Sequence, residues 1–382
     1  MVRLSFFHPL GVFLVIIGAW IGSSAAPVGA AEMIRWLESA RGLAMGGALT
    51  AVAESFDAMV YNPAGLAQTN YWKIEVGEFS EASEAGDGTA GDDFFSKLEE
   101  FGGQSAAAIE GYLSTTGGAP HFSRALSYAG FHTSTGVGLA VFESESLRST
   151  AATVIAPITT DVTYDKKTGG IFTFSDATDL KILMWGFSIT RMAREASKTT
   201  LEAPFAGTLA GPAYDPRIGT PGKDETSFDL GFLARLPIPF LRPTLGIAYL
   251  NGRSPDFGLK DVDPLRAELN VGLSIMPDLF PETMRILLAY DVRDVQEEAF
   301  PDDQTTIVRQ HIGAEFSFFS QGDGLWGLSL RGGRSQGFFS WGVGVRLSHY
   351  LSLDYAVYKE ETGTGTIHLA QKRQLLQVSL GF

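Results

Sequence analysis

The sequence has no cysteine and no excess of basic residues. The missing cysteines exclude a disulfide framework and thiolate metal sites. A formal net charge of −14 at pH 7 argues against nucleic acid as a partner. The histidines are scattered, and none forms the i, i+4 pair of a helical metal site. Glycine-rich stretches at 42–47 and 322–324 lack the lysine and the strand-to-helix context of a phosphate loop. We therefore expect no metal, no cofactor and no enzymatic activity.

Long apolar runs are also scarce. The longest, Leu10–Ile21, has about a dozen residues, whereas a transmembrane helix needs about 20. Arg3 precedes this run, and the small residues of 28–30 follow it. This order predicts a removable export signal over residues 1–30. No other segment approaches that length without a charge, so residence in a membrane would require a β-barrel.

Alternation of apolar and polar residues is the most informative pattern in the chain. Leu269 and Val271 belong to one alternating run at 265–275, and a similar run occupies 338–347. Period two places the apolar residues on one face of an extended strand. Each run has about the nine to eleven residues that a tilted strand needs to cross a bilayer. Strands are predicted near 72–79, 122–131, 136–143, 168–175, 180–190, 226–236, 242–250, 265–275, 284–293, 307–317, 325–333, 338–347, 351–359 and 374–382.

The predicted connections alternate in length. Short turns are predicted near 132–135, 176–179, 237–241, 276–283, 318–324 and 348–350. Long polar loops are predicted near 80–121, 144–167, 191–225, 251–264, 294–306 and 360–373, with 334–337 as a short exception. Short turns at one end and long loops at the other are typical of outer-membrane barrels. The sequence therefore predicts an all-β protein, a transmembrane antiparallel β-barrel of about fourteen strands over residues 71–382. A soluble β-sandwich is the alternative, because it too would bury one face of each strand.

The last predicted strand stops at Phe382. We expect this strand to close the barrel and to be the part of the chain that the barrel-assembly machinery binds. Outer-membrane lipid would contact the apolar outer face of the strands. Together with the export signal, these features predict the outer membrane of a Gram-negative-type bacterium.

Residues 31–70 do not share the alternation. Leu37, Ala40 and Leu43 come at helical spacings. The segment closes on a turn signal of four residues: Asn62, Pro63, Ala64 and Gly65. Asparagine tolerates unusual backbone angles, proline fixes φ, and glycine permits positive φ. The pattern predicts a partly helical segment that ends in a tight turn just before the first strand.

Two stretches of this segment resemble the N-terminal signature of the FadL-like outer-membrane proteins. Residues 41–54 read Arg-Gly-Leu-Ala-Met-Gly-Gly-Ala-Leu-Thr-Ala-Val-Ala-Glu, and residues 61–66 read Tyr-Asn-Pro-Ala-Gly-Leu. That superfamily includes the FadL and TodX transporters of hydrophobic compounds and the PorV/PorQ-type proteins linked to type IX secretion. The resemblance implies a fourteen-stranded barrel with residues 31–70 inside it as a hatch. This chain is shorter than long-chain fatty acid transporters usually are, which leaves the ligand and the secretion-linked branch open.

The predicted lumen face carries charges of both signs. They could pair with one another and with the hatch to fill a polar interior. Alternatively, Arg293, Arg309 and Arg331 could bind an anionic head group such as a carboxylate, since they fall near the outer ends of three successive strands. The acidic runs near 81–100 and 294–303 are interpreted as solvated loop faces, with calcium binding as the alternative.

The leading functional hypothesis is passive uptake of a hydrophobic small molecule of the long-chain fatty acid or aromatic hydrocarbon class. The hatch, with its turn at Asn62–Gly65, would be the gate. The alternatives are a PorV-like barrel that serves protein secretion or outer-membrane assembly, and a structural barrel without transport. A lateral opening in the wall beside the hatch would favour transport, and a sealed wall with an exposed partner surface would favour the PorV-like role.

Overall fold

The computed structural model describes most of the chain after the predicted export signal. The described residues are 37–69, 71–83, 121–153, 158–203, 219–259, 262, 264–277, 284–296, 309–318, 326–347, 350–361 and 370–381. The signal predicted over residues 1–30, Phe382 and most of the two acidic runs lie outside them. In the described part of the chain, no helix combines the length and apolarity needed to span a membrane.

Fourteen long antiparallel strands form a closed barrel. Their bounds are β1 Lys73–Ser83, β2 His121–His132, β3 Val137–Thr153, β4 Ile158–Ala177, β5 Leu183–Ala203, β7 Glu225–Arg235, β8 Thr244–Gly252, β9 Glu268–Ile275, β10 Met284–Val292, β11 Gln310–Phe318, β12 Gly327–Ser335, β13 Phe338–Arg346, β14 Leu351–Glu361 and β15 Ala370–Gly381. A two-residue strand, β6 at Thr220–Pro221, pairs with β5. Because β1 pairs with both β2 and β15, with Val76 opposite Leu380, the sheet closes on itself. The barrel predicted from the alternation is confirmed.

The two faces of the wall differ in chemistry as the alternation predicts. Large apolar side chains point outward and are exposed, for example Val141 and Leu230. The inner face carries buried polar and charged residues, for example Asp291 and Gln377. Exposed apolar residues on every side of a closed sheet need lipid to cover them. The wall therefore has the outward-apolar, inward-polar arrangement of an outer-membrane type of barrel.

Three strands are much longer than the sequence predicts. The loops predicted at 144–167 and 191–225 are wrong over much of their length, because β3, β4 and β5 run through them with 17, 20 and 21 residues. Crossing a bilayer needs only about ten residues. The extra length carries charged residues on both faces, for example Lys166 on one and Lys167 on the other, so the apolar–polar alternation ceases while the backbone ladder continues. A hairpin that projects beyond the lipid needs no apolar face, and its sequence therefore resembles that of a loop.

Adjacent strands are hydrogen-bonded all round the barrel. Register shifts occur between β3 and β4 at Ala151/Thr153 and between β7 and β8 at Phe228/Leu230. The ladders that join β1 to β2 and β2 to β3 have none. Within the described strands, the wall from β1 to β5 is continuous across the part that would face lipid.

The N-terminal segment, residues 37–69, precedes β1 and has three short helical elements. Helix α1 spans Ala40–Ala44, helix α2 spans Ser55–Tyr61, and a 3-10 helix spans Pro63–Gln68. Ser39 caps α1 by accepting a hydrogen bond from the Gly42 amide at 3.1 Å. Asn62 ends α2 and caps the 3-10 helix, whose first residue is a proline with its favoured φ. Both helices are too short to be stable in water alone, so their contacts with the wall decide their conformation.

Candidate functional site

The N-terminal segment is bound to the polar inner face of the barrel through its backbone. The Thr50 amide donates to Asp291 Oδ2 at 2.7 Å, and the Gly46 carbonyl lies 2.6 Å from His311 Nδ1. Asp291 and His311 are inward residues of β10 and β11 and are fully or almost fully buried. A buried backbone group needs such a partner, so these contacts compensate for the missing secondary structure of the segment. The segment therefore lies against the inner wall of the barrel, whereas its action as a gate stays a prediction.

A ring of inward glycines lets the segment approach the wall closely. On seven of the strands from β5 to β13, a Cβ atom on the glycine would lie less than 3.0 Å from an atom of residues 37–69. These residues, here called the glycine girdle, are Gly186, Gly231, Gly246, Gly272, Gly313, Gly333 and Gly342. Real Cβ atoms do not make contacts this short, so only glycine fits at these positions. The girdle residues lie on β5, β7, β8, β9, β11, β12 and β13. They allow one side of the segment to pack directly against the wall.

The predicted turn residues lie at this contact. All four are buried: Asn62, Pro63, Ala64 and Gly65. Asn62 Oδ1 accepts from the Ala64 amide at 3.1 Å, and Asn62 Nδ2 donates to the Thr50 carbonyl at 2.7 Å. The turn faces Gly231 of β7 and Gly186 of β5. One side chain thus fixes the turn and joins it to the middle of the segment.

A second attachment is ionic and centres on Glu315 of β11. Three guanidinium groups bond its carboxylate: Arg41 at 2.9 Å, Arg331 at 2.9 Å and Arg285 at 3.2 Å. The Glu315 side chain is only 2% exposed, so water screens these ion pairs weakly. Arg331 also bonds Asp354 of β14. Because Arg41 belongs to α1, this group, here called the Glu315 hub, ties the N-terminal segment to β10, β11 and β12.

The three arginines of the predicted head-group site are not one cluster. Arg293 and Arg309 are neighbours, since the Arg293 amide donates to the Arg309 carbonyl at 2.9 Å. The Arg293 guanidinium donates to the Gly47 carbonyl and lies 3.4 Å from Glu38 Oε1. Arg331, in contrast, lies at the middle of β12 and belongs to the Glu315 hub. The structure thus separates Arg331 from the other two, and anion binding by any of them stays a prediction.

A cavity of about 250 Å³ lies beside the Glu315 hub, toward the short-turn end of the barrel. Its lining includes five basic and five acidic side chains, among them Lys73 and Asp57. Loss of water around Asp57 raises the pKa of this carboxyl to about 6, although Arg41 opposes the rise. The cavity is polar and its charges balance, so it suits water and small ions better than a hydrophobic solute.

The opposite side of the segment meets an apolar inner wall. The buried residues of this contact, here called the apolar seam, are Phe56, Met59, Phe79, Leu126, Tyr128, Ala140, Phe142 and Ile171. Phe56 and Met59 come from α2, and the others come from the inner faces of β1 to β4. Phe56 stacks on Tyr128 with ring centroids 3.8 Å apart. A hydrophobic solute that leaves lipid or detergent needs an apolar surface to contact. Inside a largely polar barrel, this apolar seam is the place where its transfer would be least unfavourable.

The described residues contain no candidate metal site. No group of three or more His, Asp or Glu side chains there could hold a metal ion. Ser55 Oγ lies 3.0 Å from His132 Nε2 at the short-turn end of β2. This hydrogen bond joins α2 to the wall beside the apolar seam.

The burial of the segment makes a prediction about labelling. Ala44 and Ala58 are both 0% exposed, and the chain has no natural cysteine. Single cysteines at these positions should react slowly with a large impermeant maleimide in intact cells. A cysteine at Ser134, in the exposed turn between β2 and β3, is the fast control in detergent. Equal rates at all three positions in detergent would place the segment outside the barrel.

Sequence reasoning missed the glycine girdle, the Glu315 hub and the apolar seam. A signal for the girdle was present, because Gly272, Gly313 and Gly342 all fall at inward positions of alternating strands. The hub was hidden, because its members are far apart in sequence and many barrel strands carry lumen charges. The seam was hidden because its side chains occupy inward positions, where alternation predicts polar residues.

Comparison with known proteins gives matches in structure only. No family model matches the sequence, and no curated protein sequence matches it. Among solved structures, a mutant of the TodX monoaromatic hydrocarbon channel matches with 12% identity and a TM-score of 0.50, over 90% of this chain and 98% of that one. The Ralstonia pickettii toluene transporter TbuX matches with 13% identity and a TM-score of 0.49, over 90% and 98% of the two chains. A Pseudomonas aeruginosa FadL homologue matches with 11% identity and a TM-score of 0.45, over 93% and 99%.

These similarities concern the fold. At 12% identity, the match to the TodX mutant shows that this chain has the same barrel architecture along nearly its whole described length. The resemblance predicted from residues 41–66 is thereby confirmed at the level of the fold. The fold alone does not assign a solute, because function depends on the particular side chains of a site.

Proposed function

We propose that the protein is an outer-membrane channel for the passive uptake of hydrophobic small molecules, of the aromatic hydrocarbon or long-chain fatty acid class. The apolar seam carries this proposal. The inner faces of β1 to β4 carry paired charges, for example Glu81 and Arg124, but they also turn apolar side chains inward against α2. The shared architecture with a monoaromatic hydrocarbon channel supports the same solute class.

The N-terminal segment is the gate in this proposal. It is held by the glycine girdle and the Glu315 hub on one side and touches the apolar seam on the other. A solute in the seam competes for the contacts of Phe56 and Met59, so its entry shifts the segment. Passage is passive and involves no catalytic step.

Uptake by cells tests the proposal directly. Cells that carry equal amounts of folded protein or an empty vector are given a radiolabelled alkylbenzene and a radiolabelled long-chain fatty acid. We expect uptake of at least one solute to exceed the vector control and to be independent of ATP. If neither enters faster than in the vector control, the protein is not a channel for this class.

Substitutions in the turn at Asn62 should change gating without unfolding the barrel. Replacing Asn62 and Pro63 with alanine removes the hydrogen bonds of the Asn62 side chain to the segment and to the wall carbonyls of Phe232 and Ile247, and also the fixed φ of proline. The expected cost is about 1–3 kcal/mol, enough to shift an open–closed balance. Uptake should change while heat-modifiable migration on a gel stays that of the wild type. Unchanged uptake by a fully folded variant would remove the turn from the gate.

A PorV-like role is the second candidate, and one observation favours it. The wall from β1 to β5 is continuous, and β3, β4 and β5 project beyond the bilayer as a long sheet. Such a sheet could receive a secreted protein. If no hydrophobic solute enters faster than in the vector control, the PorV-like role becomes the leading hypothesis.

A further inference from the structure

The β7–β8 turn, residues 236–243, presents apolar side chains at the short-turn end of the barrel. Leu236, Ile238 and Phe240 come at every second position and are each about half exposed. The adjacent β4–β5 turn adds Leu180, which is 79% exposed. These four side chains are here called the turn patch. Single exposed apolar residues are common on proteins, but a cluster on two neighbouring turns indicates a contact surface.

The two turns are held side by side. The Arg235 amide donates to the Ile182 carbonyl at 2.7 Å, which joins the end of β7 to the β4–β5 turn. Within the β7–β8 turn, the Leu241 amide donates to the Ile238 carbonyl at 3.2 Å, and Pro239 follows Ile238. Proline at this position of a turn presets the backbone angle. The turn patch therefore needs little ordering when it meets a partner.

The turn patch continues the outward side of β7. Leu230 and Phe232 are outward residues of this strand and are 51% and 38% exposed, whereas Leu233 points inward and is fully buried. Leu236 has the same parity as Leu230 and Phe232, since side chains alternate between the two faces. Trp185 of β5 pairs with Phe232 and is exposed as well, as in the aromatic girdles at membrane interfaces. The turn patch thus begins where the lipid-facing wall reaches the head groups.

Basic residues border the turn patch. Lys181 belongs to the β4–β5 turn, and Arg235 and Arg242 flank the β7–β8 turn. Over residues 176–182 and 235–243, three basic residues stand against two acidic ones. Loss of water lowers the pKa of Lys181, and the nearby charge of Arg235 lowers it further. Apolar side chains bordered by lysine and arginine are typical of elements that lie in a membrane interface, where basic groups meet lipid phosphates.

We propose that the turn patch inserts into the phospholipid leaflet at the short-turn end of the barrel, the end that faces the periplasm in outer-membrane barrels. Its apolar side chains lie at the boundary between head groups and acyl chains, and Arg242 contacts the lipid phosphates. Lipid is the partner that fits, because the patch is continuous with a wall that lipid already covers. The contact fixes the depth of the barrel in the membrane and does not depend on the solute that the lumen carries.

Single cysteines in this cysteine-free chain test the insertion. Ile238→Cys, Leu230→Cys and Ser134→Cys are spin-labelled and reconstituted into vesicles of phosphatidylethanolamine and phosphatidylglycerol. Collisions with oxygen, which concentrates in lipid, and with a nickel chelate, which stays in water, give the depth of each label. We expect the Ile238 label to lie about 5–10 Å into the boundary between head groups and acyl chains. Leu230, on the outward face of β7, is the immersed control, and Ser134, in the exposed β2–β3 turn, is the control in water.

Replacing Arg242 tests the phosphate contact. Lys181 and Arg235 also donate to the end of the N-terminal segment, so Arg242 is the cation to vary. In the Ile238→Cys background, Arg242→Gln should move the label toward water, because a group that holds the turn at the level of the phosphates is lost. Arg191→Gln is the matched control, since this arginine of β5 is 75% exposed and already has a carboxylate partner.

The outcomes decide between lipid and protein. An Ile238 label that meets the nickel chelate as often as the Ser134 label would place the turn in water and overturn the inference. Shielding from both reagents would also overturn it, because a protein such as a second copy of this chain would then cover the turn. Equal depths with Arg242→Gln and Arg191→Gln would contradict the phosphate contact. If Ile238→Cys does not fold, Leu180→Cys on the neighbouring turn provides the same measurement.

Discussion

Replacing Glu315 with alanine should release the N-terminal segment from the wall. Arg41, Arg285 and Arg331 would keep their charges but lose the carboxylate at 2.9–3.2 Å that they share. Breaking a buried ion pair by removing one partner costs about 3–5 kcal/mol, because the remaining charge is left without compensation. Asp354 would still pair with Arg331, whereas the other acidic neighbours of Arg41 lie at 3.5–3.7 Å. Removal of the Glu315 carboxylate should therefore weaken mainly the attachment of α1 to the wall.

The maleimide rate of a cysteine at Ala44, in purified protein in detergent, reports the release. We expect a rate well above that of the same cysteine in an otherwise unchanged chain. Glu54→Ala is the matched control, because the Glu54 side chain is 42% exposed and pairs with Arg41 at 3.5 Å. Exposed pairs contribute about 0–1 kcal/mol, so this variant should label almost as slowly as the parent. Equal slow labelling in both variants would show that the Glu315 hub does not hold the segment.

Adding a single methyl group to the glycine girdle should also displace the N-terminal segment from the wall. In Gly333→Ala, the new Cβ would lie 2.2 Å from the Gly46 amide nitrogen and 2.3 Å from the Met45 carbonyl carbon. Backbone atoms cannot rotate away, so either the strand or the segment must move. Overpacking of this kind costs about 1–3 kcal/mol. The segment, held by a limited number of contacts, should yield before the laddered wall does.

The neighbouring residue provides the control. A Cβ atom on Gly332, which would point outward, meets no atom of the described residues within 4 Å. Gly332→Ala therefore adds the same methyl group to the same strand without a clash. Ion conductance in planar bilayers distinguishes the two variants. Gly333→Ala should show frequent openings, and Gly332→Ala should stay as closed as the wild type. Identical traces would mean that the girdle does not seal the lumen.

The strands could be predicted because a barrel repeats one local rule. Runs such as 265–275 and 338–347 alternate because lipid lies on one side and the lumen on the other. The rule fails where the environment changes. Residues 160–167 of β4 and 191–199 of β5 exceed the length that crosses a bilayer, and they mix charged and apolar side chains on the same face, so they carry no periodic signal. Their strand conformation depends on pairing with each other, which no single segment reveals.

The candidate site was only partly predictable for a related reason. Asn62–Gly65 has a local turn chemistry, and the structure places it at the contact between segment and wall. The partners of Arg331, by contrast, are 16 and 23 residues away in sequence, and Arg41 is 274 residues from Glu315. Such pairs form because the barrel closes, so they follow from the topology and not from a motif. The apolar seam likewise forms only when α2 packs beside β2, so no local stretch of the sequence predicts it.

The glycine girdle makes the N-terminal segment comparable to a tethered ligand of its own barrel. Glycine weakens a strand interior by roughly 0.5–1 kcal/mol relative to alanine, so an unoccupied girdle leaves the wall less stable. Occupancy by the segment offsets this loss, and the short connection to β1 keeps its effective concentration in the millimolar range or above. An ordinary solute raises the melting temperature of the protein that binds it. A solute that displaces this segment removes one stabilising interaction and adds another. Its transport and its effect on the melting temperature therefore depend on the same competition between the solute and the N-terminal segment.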